Sequence, residues 1–203
     1  MSSRPATARE ARYLDKATLV RTAADIADRE GWENLTLSQV AKAVDRHVTS
    51  LYAHVEGLDA LRREVALLVL DELADEVWRA ALGRSRDEAL IAIATVERSY
   101  AVEHPGRHAA LLTFRRADDD ELNARGRRLA EPVRATFRSF GLDDGQVAVA
   151  HSLFSSALRG LVLAERTDTF TYRDVCPDEA LAQLVSLFGA ALSTGAWPGT
   201  ATP

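Results

Sequence analysis

Cysteine is almost missing from this chain. Cys176 stands alone among 203 residues, which excludes an internal disulfide framework and fits a reducing compartment. Lysine is nearly as scarce, at Lys16 and Lys42 only, so arginine carries almost all of the positive charge. Aromatic residues make up 6% of the sequence, and β-branched residues are few beside Ala and Leu. That balance disfavours sheets and favours helices. No apolar run approaches the roughly 20 residues that a membrane-spanning helix needs. The longest block is Val65-Ala-Leu-Leu-Val-Leu70, and the N-terminus has no signal-peptide apolar segment. A cytoplasmic location without a membrane partner is therefore expected. The net charge of −5 excludes a broadly basic nucleic-acid coat. The charge is uneven, however: residues 1–63 sum to +1 and the remainder to −6, with Arg4, Arg9, Arg12 and Lys16 near the start.

What the sequence does have is helical punctuation. Asp15 can cap a helix that Gly31 stops. Thr36-Leu-Ser-Gln39 and Ser85-Arg-Asp-Glu88 both read as capping boxes. The spacing predicts further helices over about 58–82, 105–116, 118–140, 144–166 and 177–194. Pro132 should kink the one over 118–140, and Pro198 to Pro203 reads as a loose tail. No segment alternates with period two, so the expectation is an all-α chain of about nine helices with no internal repeat.

Residues 37–55, LSQVAKAVDRHVTSLYAHV, place two short amphipathic runs around the polar turn Asp45-Arg46-His47. Leu51 and Val55 lie four apart and should point inward against Val40 and Val44. Thr49, Ser50, Tyr52 and His54 then share the outer side. Two short helices joined by a three-residue turn have the geometry of a helix-turn-helix, whose second helix enters the major groove. Hydroxyls can meet base edges, and Tyr and His can donate to phosphates. The N-termini near Leu37 and Leu58 offer free N–H groups to phosphate. The residues taken alone leave a plainer reading equally open, a short solvated helix in an all-α protein.

Residues 14–68 resemble the DNA-binding domain of the tetracycline-repressor (TetR) family. The likeness is carried by Asp15-Lys-Ala-Thr-Leu-Val-Arg-Thr-Ala-Ala, Gly31-Trp-Glu-Asn-Leu-Thr-Leu, Val40-Ala41, Leu51-Tyr52-Ala-His54-Val55 and Asp59-Ala-Leu61. Glu103-His-Pro-Gly-Arg107 and Ala157-Leu-Arg-Gly-Leu161 resemble the C-terminal domain of one subgroup. The turn departs from the family's Gly-Val-Ser, so Asp45 must accept the backbone geometry usually left to Gly. Arg46 can then reach a phosphate. The resemblance implies a helix-turn-helix domain over 1–57, a regulatory and dimerisation domain over 58–203 and a long helix between them. It also implies a transcriptional regulator, in the family's common mode a repressor, that binds duplex DNA at a palindromic operator as a homodimer. The candidate DNA-contacting residues are Thr36, Ser38, Arg46, His47, Thr49, Ser50, Tyr52 and His54.

The last two long helices each carry an apolar stripe, Val147, His151, Phe154, Leu158, Leu161 and Val162 on one and Leu181, Leu184, Val185, Phe188 and Leu192 on the other. Two copies could bury them in a four-helix bundle, with Leu161 in the interface. The family likeness also implies a small-molecule effector, expected to be apolar and to release the repressor from DNA, for which Trp78, Tyr100, Phe114, His151, Phe154 and Arg159 are the candidate pocket residues. His104 and His108 have a metal-compatible spacing, but Pro105 and Gly106 separate them, so no metal and no cofactor is expected. No Gly-rich phosphate loop or Ser/His/Asp set points to an enzyme. The alternative of another class is a helical ligand-binding or scaffold protein without DNA binding.

Overall fold

The computed structural model describes residues 15–114 and 118–194, and every regular element within them is helical. The basic first residues and the tail from 195 onward, both singled out in the sequence, lie outside the described residues. Ten α-helices follow one another: α1 Lys16–Glu30, α2 Leu37–Ala43, α3 Val48–Leu51, α4 Leu58–Ala81, α5 Arg86–Glu103, α6 Pro105–Thr113, α7 Asp120–Arg138, α8 Asp144–Arg166, α9 Thr169–Arg173 and α10 Pro177–Ser193. The helix beyond the expected nine is α9, five residues flanked by Asp168 and Asp174 in the left-handed conformation. It is too short to leave a periodic stripe. A single 3-10 turn, Trp32–Asn34, links α1 to α2.

The punctuation is realised at most ends. Asp15 accepts a 2.6 Å bond from the Thr18 amide, and Gly31 ends α1 at φ 94°. Thr36 and Gln39 cap α2 reciprocally, and Asp143 and Gln146 do the same for α8. Ser85 is the exception: its side chain caps nothing, and Arg86 opens α5 at φ 48°. A residue in that left-handed conformation turns the first helical unit away from the geometry a capping box requires.

The main core cluster runs from α1 through α10, a smaller one gathers Ala66, Leu67 and Leu122, and α4 is the axis, packed against α1, α5, α6 and α7. The Val65–Leu70 block of α4 is covered on several sides, with Val65, Ala66, Leu67 and Val69 all buried. Pro132 sits within α7, which runs on to Arg138. A proline has no N–H to give the carbonyl four residues earlier. That carbonyl, on Arg128, instead accepts a 3.0 Å bond from the Trp78 indole on α4. Arg63 of α4 grips Asp119, the N-cap of α7, through bonds of 2.6 and 2.9 Å, which hold the Asp119 carboxyl down at about 2.

The first three helices meet the rest of the chain a second time through α6. At Gly106 a β-carbon would fall 2.1 Å from the carbonyl carbon and oxygen of Ala27 in α1. No side chain fits there, so backbone lies directly on backbone. Beside it the buried Arg107 reaches Asp28 at 2.5 Å and Asp25 at 2.7 Å. His104 Nδ1 lies 3.2 Å from Asp28, and Tyr100 donates its hydroxyl to Glu72 at 3.1 Å.

Candidate functional site

α2 and α3 meet as the residues predict. Val40, Leu51 and Val55 are buried, and Val44 is half-buried. Asp45 makes the turn at φ 53°, the left-handed geometry that an Asp side chain tolerates. α3 is shorter than the expected 48–55 span, giving way to a turn after Leu51. With the apolar positions fixed inward, the polar ones have only the outside. Thr36, Ser38, Arg46, His47, Thr49, Ser50 and Tyr52 are exposed, Tyr52 to 58%, and His54 is partly so.

These groups are not equally available. Thr36 is committed to its capping box, with its hydroxyl 2.8 Å from Gln39 Oε1. Ser50 donates its hydroxyl to the His47 carbonyl at 2.6 Å, so only its lone pairs remain for a partner. Arg46 donates to the Asp45 carbonyl at 2.9 Å. Among the described residues the hydroxyls of Thr49 and Tyr52 have no hydrogen-bond partner within the protein. The start of α4, after Gly57 at φ 115°, has no side-chain cap. Its first amides are left for an acceptor outside the chain.

A cavity of about 810 Å³ lies between α4, α5, α6, α7 and α8. Of the six expected pocket residues, Phe114, His151 and Arg159 line it. The other three lie elsewhere. Trp78 is 44% exposed and bonded to the Arg128 carbonyl; Tyr100 is buried against Glu72; Phe154 is core, edge-on to Phe137 and Phe188. Leu70, Leu73, Leu111 and Val162 supply apolar wall.

The sequence reading missed most of the polar wall: Glu97 of α5, His108 of α6, and Arg127, Glu131, Arg134 and Arg138 of α7. Glu97 left a trace, because it interrupts the apolar stripe of Leu90, Ile93 and Ala101 at helical spacing. The α7 row at 127, 131, 134 and 138 also has helical spacing but looks like an ordinary solvated face.

Electrostatics in the cavity are shifted by burial. Burial pushes the Glu97 carboxyl up to about 7, against the opposing pull of Arg159. Burial pushes the His108 imidazole down to about 4, helped by Arg166 and Arg159. His151 moves the same way, through burial and then Arg134 and Arg159. Both rings are therefore neutral near pH 7. The His104–His108 pair diverges, since His104 turns toward Asp28 while His108 faces the cavity, and no cluster of metal-ligating side chains occurs among the described residues.

The apolar stripes of the last two long helices prove to be the chain's own core. Leu161 is only 9% exposed, so it belongs to the interior and not to an interface. A different row on α8 stays outside: Val149, Leu153, Ser156, Gly160 and Leu163 follow a 4-3-4-3 spacing, and all are exposed. Leu187 of α10 is exposed to 69%. α8 is also long and apolar enough by composition to cross a membrane, at a mean hydropathy of 1.5, but it packs against α5, α7, α9 and α10.

The chain is similar to known regulators along most of its length. Residues 90–188 match the family model described as the tetracyclin repressor-like C-terminal domain. An HTH-type transcriptional regulator of Mycobacterium tuberculosis is 37% identical over 180 residues, covering 88% of this chain and 82% of that one. The HTH-type regulator YobS of Bacillus subtilis is 34% identical over 99 residues, 49% of this chain and 52% of its own. The fold matches that of apo ActR from Streptomyces coelicolor with a TM-score of 0.68 at 22% identity, covering 90% of this chain and 96% of that one. ActR in complex with (S)-DNPA matches at 0.62 and 19% identity, covering 90% and 98%. These are regulators and not enzymes, and with a relative this similar over this much of the sequence, the chain belongs to the TetR family of transcriptional regulators.

Proposed function

We propose that this TetR-family regulator is a ligand-responsive repressor that binds a palindromic operator as a homodimer in the cytoplasm. Residues 1–57 act as the DNA-binding domain and residues 58–203 as the regulatory and dimerisation domain. α3 enters the major groove, with Thr49 reading a base edge and Tyr52 and Arg46 contacting phosphates. Ser38, His47 and His54 flank that surface, and Thr36 and Ser50 serve mainly to hold it in shape.

One observation carries the regulatory half of this reading. α6 is at once a wall of the cavity, through His108 and Leu111, and the seat of α1, through Gly106 and Arg107. A molecule that repositions α6 must therefore act on the head. Such a molecule releases DNA only if it favours the dimer form whose reading helices stand at the wrong separation, because equal affinity for both forms shifts nothing. A small molecule bound to ActR, a protein of the same fold, supports a cavity of this kind as an effector site.

The homodimer is assigned to the outer row of α8 together with Leu187 of α10. Gly160 sits mid-row with open space around it, which permits close helix approach. Leu163→Glu should turn the dimer into monomer in sedimentation velocity runs, whereas an unchanged sedimentation coefficient would remove α8 from the interface.

The DNA half is tested by selecting bound duplexes from a random pool. The expected outcome is an inverted repeat with half-site centres about 34–36 Å apart. Affinity for it should fall steeply with salt as phosphate contacts release counterions. Recovery of no sequence, with no salt dependence, would leave a helical ligand-binding protein without DNA binding.

A further inference from the structure

We infer that the molecule bound in the cavity is an amphiphilic anion, its carboxylate or phosphate head between Arg134 and Arg159 and its hydrocarbon body against Leu70, Leu73, Leu111 and Val162. This rests on the reading of the cavity as an effector site and names the chemistry it selects.

The charge balance of the wall is the starting point. Four arginines line the cavity, Arg127, Arg134, Arg138 and Arg159, against two carboxylates, Glu97 and Glu131. Glu131 is already used, 2.8 Å from Arg138. Neither Arg134 nor Arg159 forms a salt bridge among the described residues. The two come from different helices, α7 and α8, and line the same cavity as His151, whose ring both charges push toward the neutral form. Two guanidinium groups with low-dielectric wall around them form a site for an anion, and their planar forks suit carboxylate or phosphate. A cation would meet uncompensated positive charge, and a neutral molecule would leave both arginines without a counter-charge.

Glu97 does not oppose this arrangement. Its carboxyl is held up to about 7 by burial, so near neutrality it is available in protonated form as a hydrogen-bond donor to an anion. The neutral imidazoles of His108 and His151 add polar groups without adding charge. The apolar side is supplied from α4, α6 and α8, and Leu73 is almost fully buried there. A volume of about 810 Å³ is within the range of sites that enclose a drug-sized molecule.

Calorimetric titration of the full chain with four ten-carbon probes tests the inference: decanoate, decyl phosphate, decanol and decylamine. Decanoate or decyl phosphate should bind at least tenfold more tightly than decanol and decylamine, and whichever of the two is tighter identifies the head group. Arg159→Gln and Arg134→Gln should each cost the preferred anion about tenfold while changing decanol less than twofold. Equal or tighter binding of decanol or decylamine overturns the inference, as does equal loss for anion and alcohol in both variants, or no binding by any of the four. A gel shift with the selected operator separates this from the regulator reading. Anion-selective binding that leaves DNA bound sinks the effector role alone, whereas release of DNA by decanol as readily as by decanoate sinks the head-group assignment alone.

Discussion

The helix-turn-helix head and the cavity handle polar side chains in opposite ways. In the head, the buried side chains of α2 and α3, Val40, Ala41 and Leu51, are all apolar, and the hydroxyls, imidazoles and Arg46 are left toward the outside. In the cavity, Glu97, His108, Arg134 and His151 are turned inward from helices whose other inward positions are apolar. The head meets its partner as a finished surface in water. The cavity holds Glu97, His108 and His151 partly away from water, where burial changes their protonation before any partner arrives. A polar group turned out costs nothing to keep, but one turned in must be offset by what it binds. That contrast fits the burial-driven shifts of Glu97, His108 and His151 in the cavity wall.

The contrast can be broken at the junction of the two regions, where the largest effect is expected. Gly106→Val puts a branched side chain where Ala27 backbone already lies 2.1 Å from a β-carbon. The loss should be on the order of 3 kcal/mol or more, because the obstacle is main chain that cannot rotate away. Thermal denaturation reads it, and an unaltered midpoint would mean α1 and α6 can separate freely.

On the head, Thr49→Ala should cost about 1–3 kcal/mol at one or two base pairs and little elsewhere. Ser50→Ala should cost less, since its proton is already spent on the His47 carbonyl. Gel shifts on single-base operator variants compare the two, and equal losses on every duplex would assign both residues to the phosphate backbone.

In the cavity, the test is pH. Glu97 titrates at about 7 in the folded chain against 4.5 when free, so the folded chain holds an extra proton over that interval and loses stability as pH rises through it. His108 titrates at about 4 against 6.5, so the folded chain lacks a proton there and gains stability as pH rises. The two slopes oppose each other between pH 4.5 and 6.5. Glu97→Gln removes the falling one. Its melting temperature should therefore climb with pH across that window more steeply than the parent's, and should stop falling between 6.5 and 7. Parallel curves from scanning calorimetry would put Glu97 back in the ordinary carboxylate range.

The smallest effect should come from Trp78→Phe, about 1 kcal/mol, the value of one hydrogen bond to the carbonyl that Pro132 leaves orphaned.

The same contrast governs what the sequence disclosed. Caps, stops and the two-helix motif were readable because each is local: Asp15 to Thr18, Thr36 to Gln39, Asp45 between two short runs. The outward faces of the head follow directly once Leu51 and Val55 are assigned inward. The cavity was legible only by half, since whether Phe114 or Phe154 faces the open space depends on how five helices cross. Arg134 and Arg138 look like solvent contacts in one dimension and become wall in three. Helical spacing shows the Leu161 stripe to be apolar but not what covers it, and the chain's own core covers it. Ser85 failed as a cap because the backbone at Arg86, which spacing does not report, takes another course.

The junction between α1 and α6 is unequal in its two directions. Motion of α6 toward α1 meets main chain at once, a stop as hard as atoms allow. Motion the other way is opposed chiefly by the long side chain of Arg107, reaching across to Asp25 and Asp28, with the Arg107 amide and His104 also held on Asp28. A thrust from the body therefore reaches the head undiminished, while a withdrawal stretches a flexible tether first, and the coupling acts more like a piston than a rod.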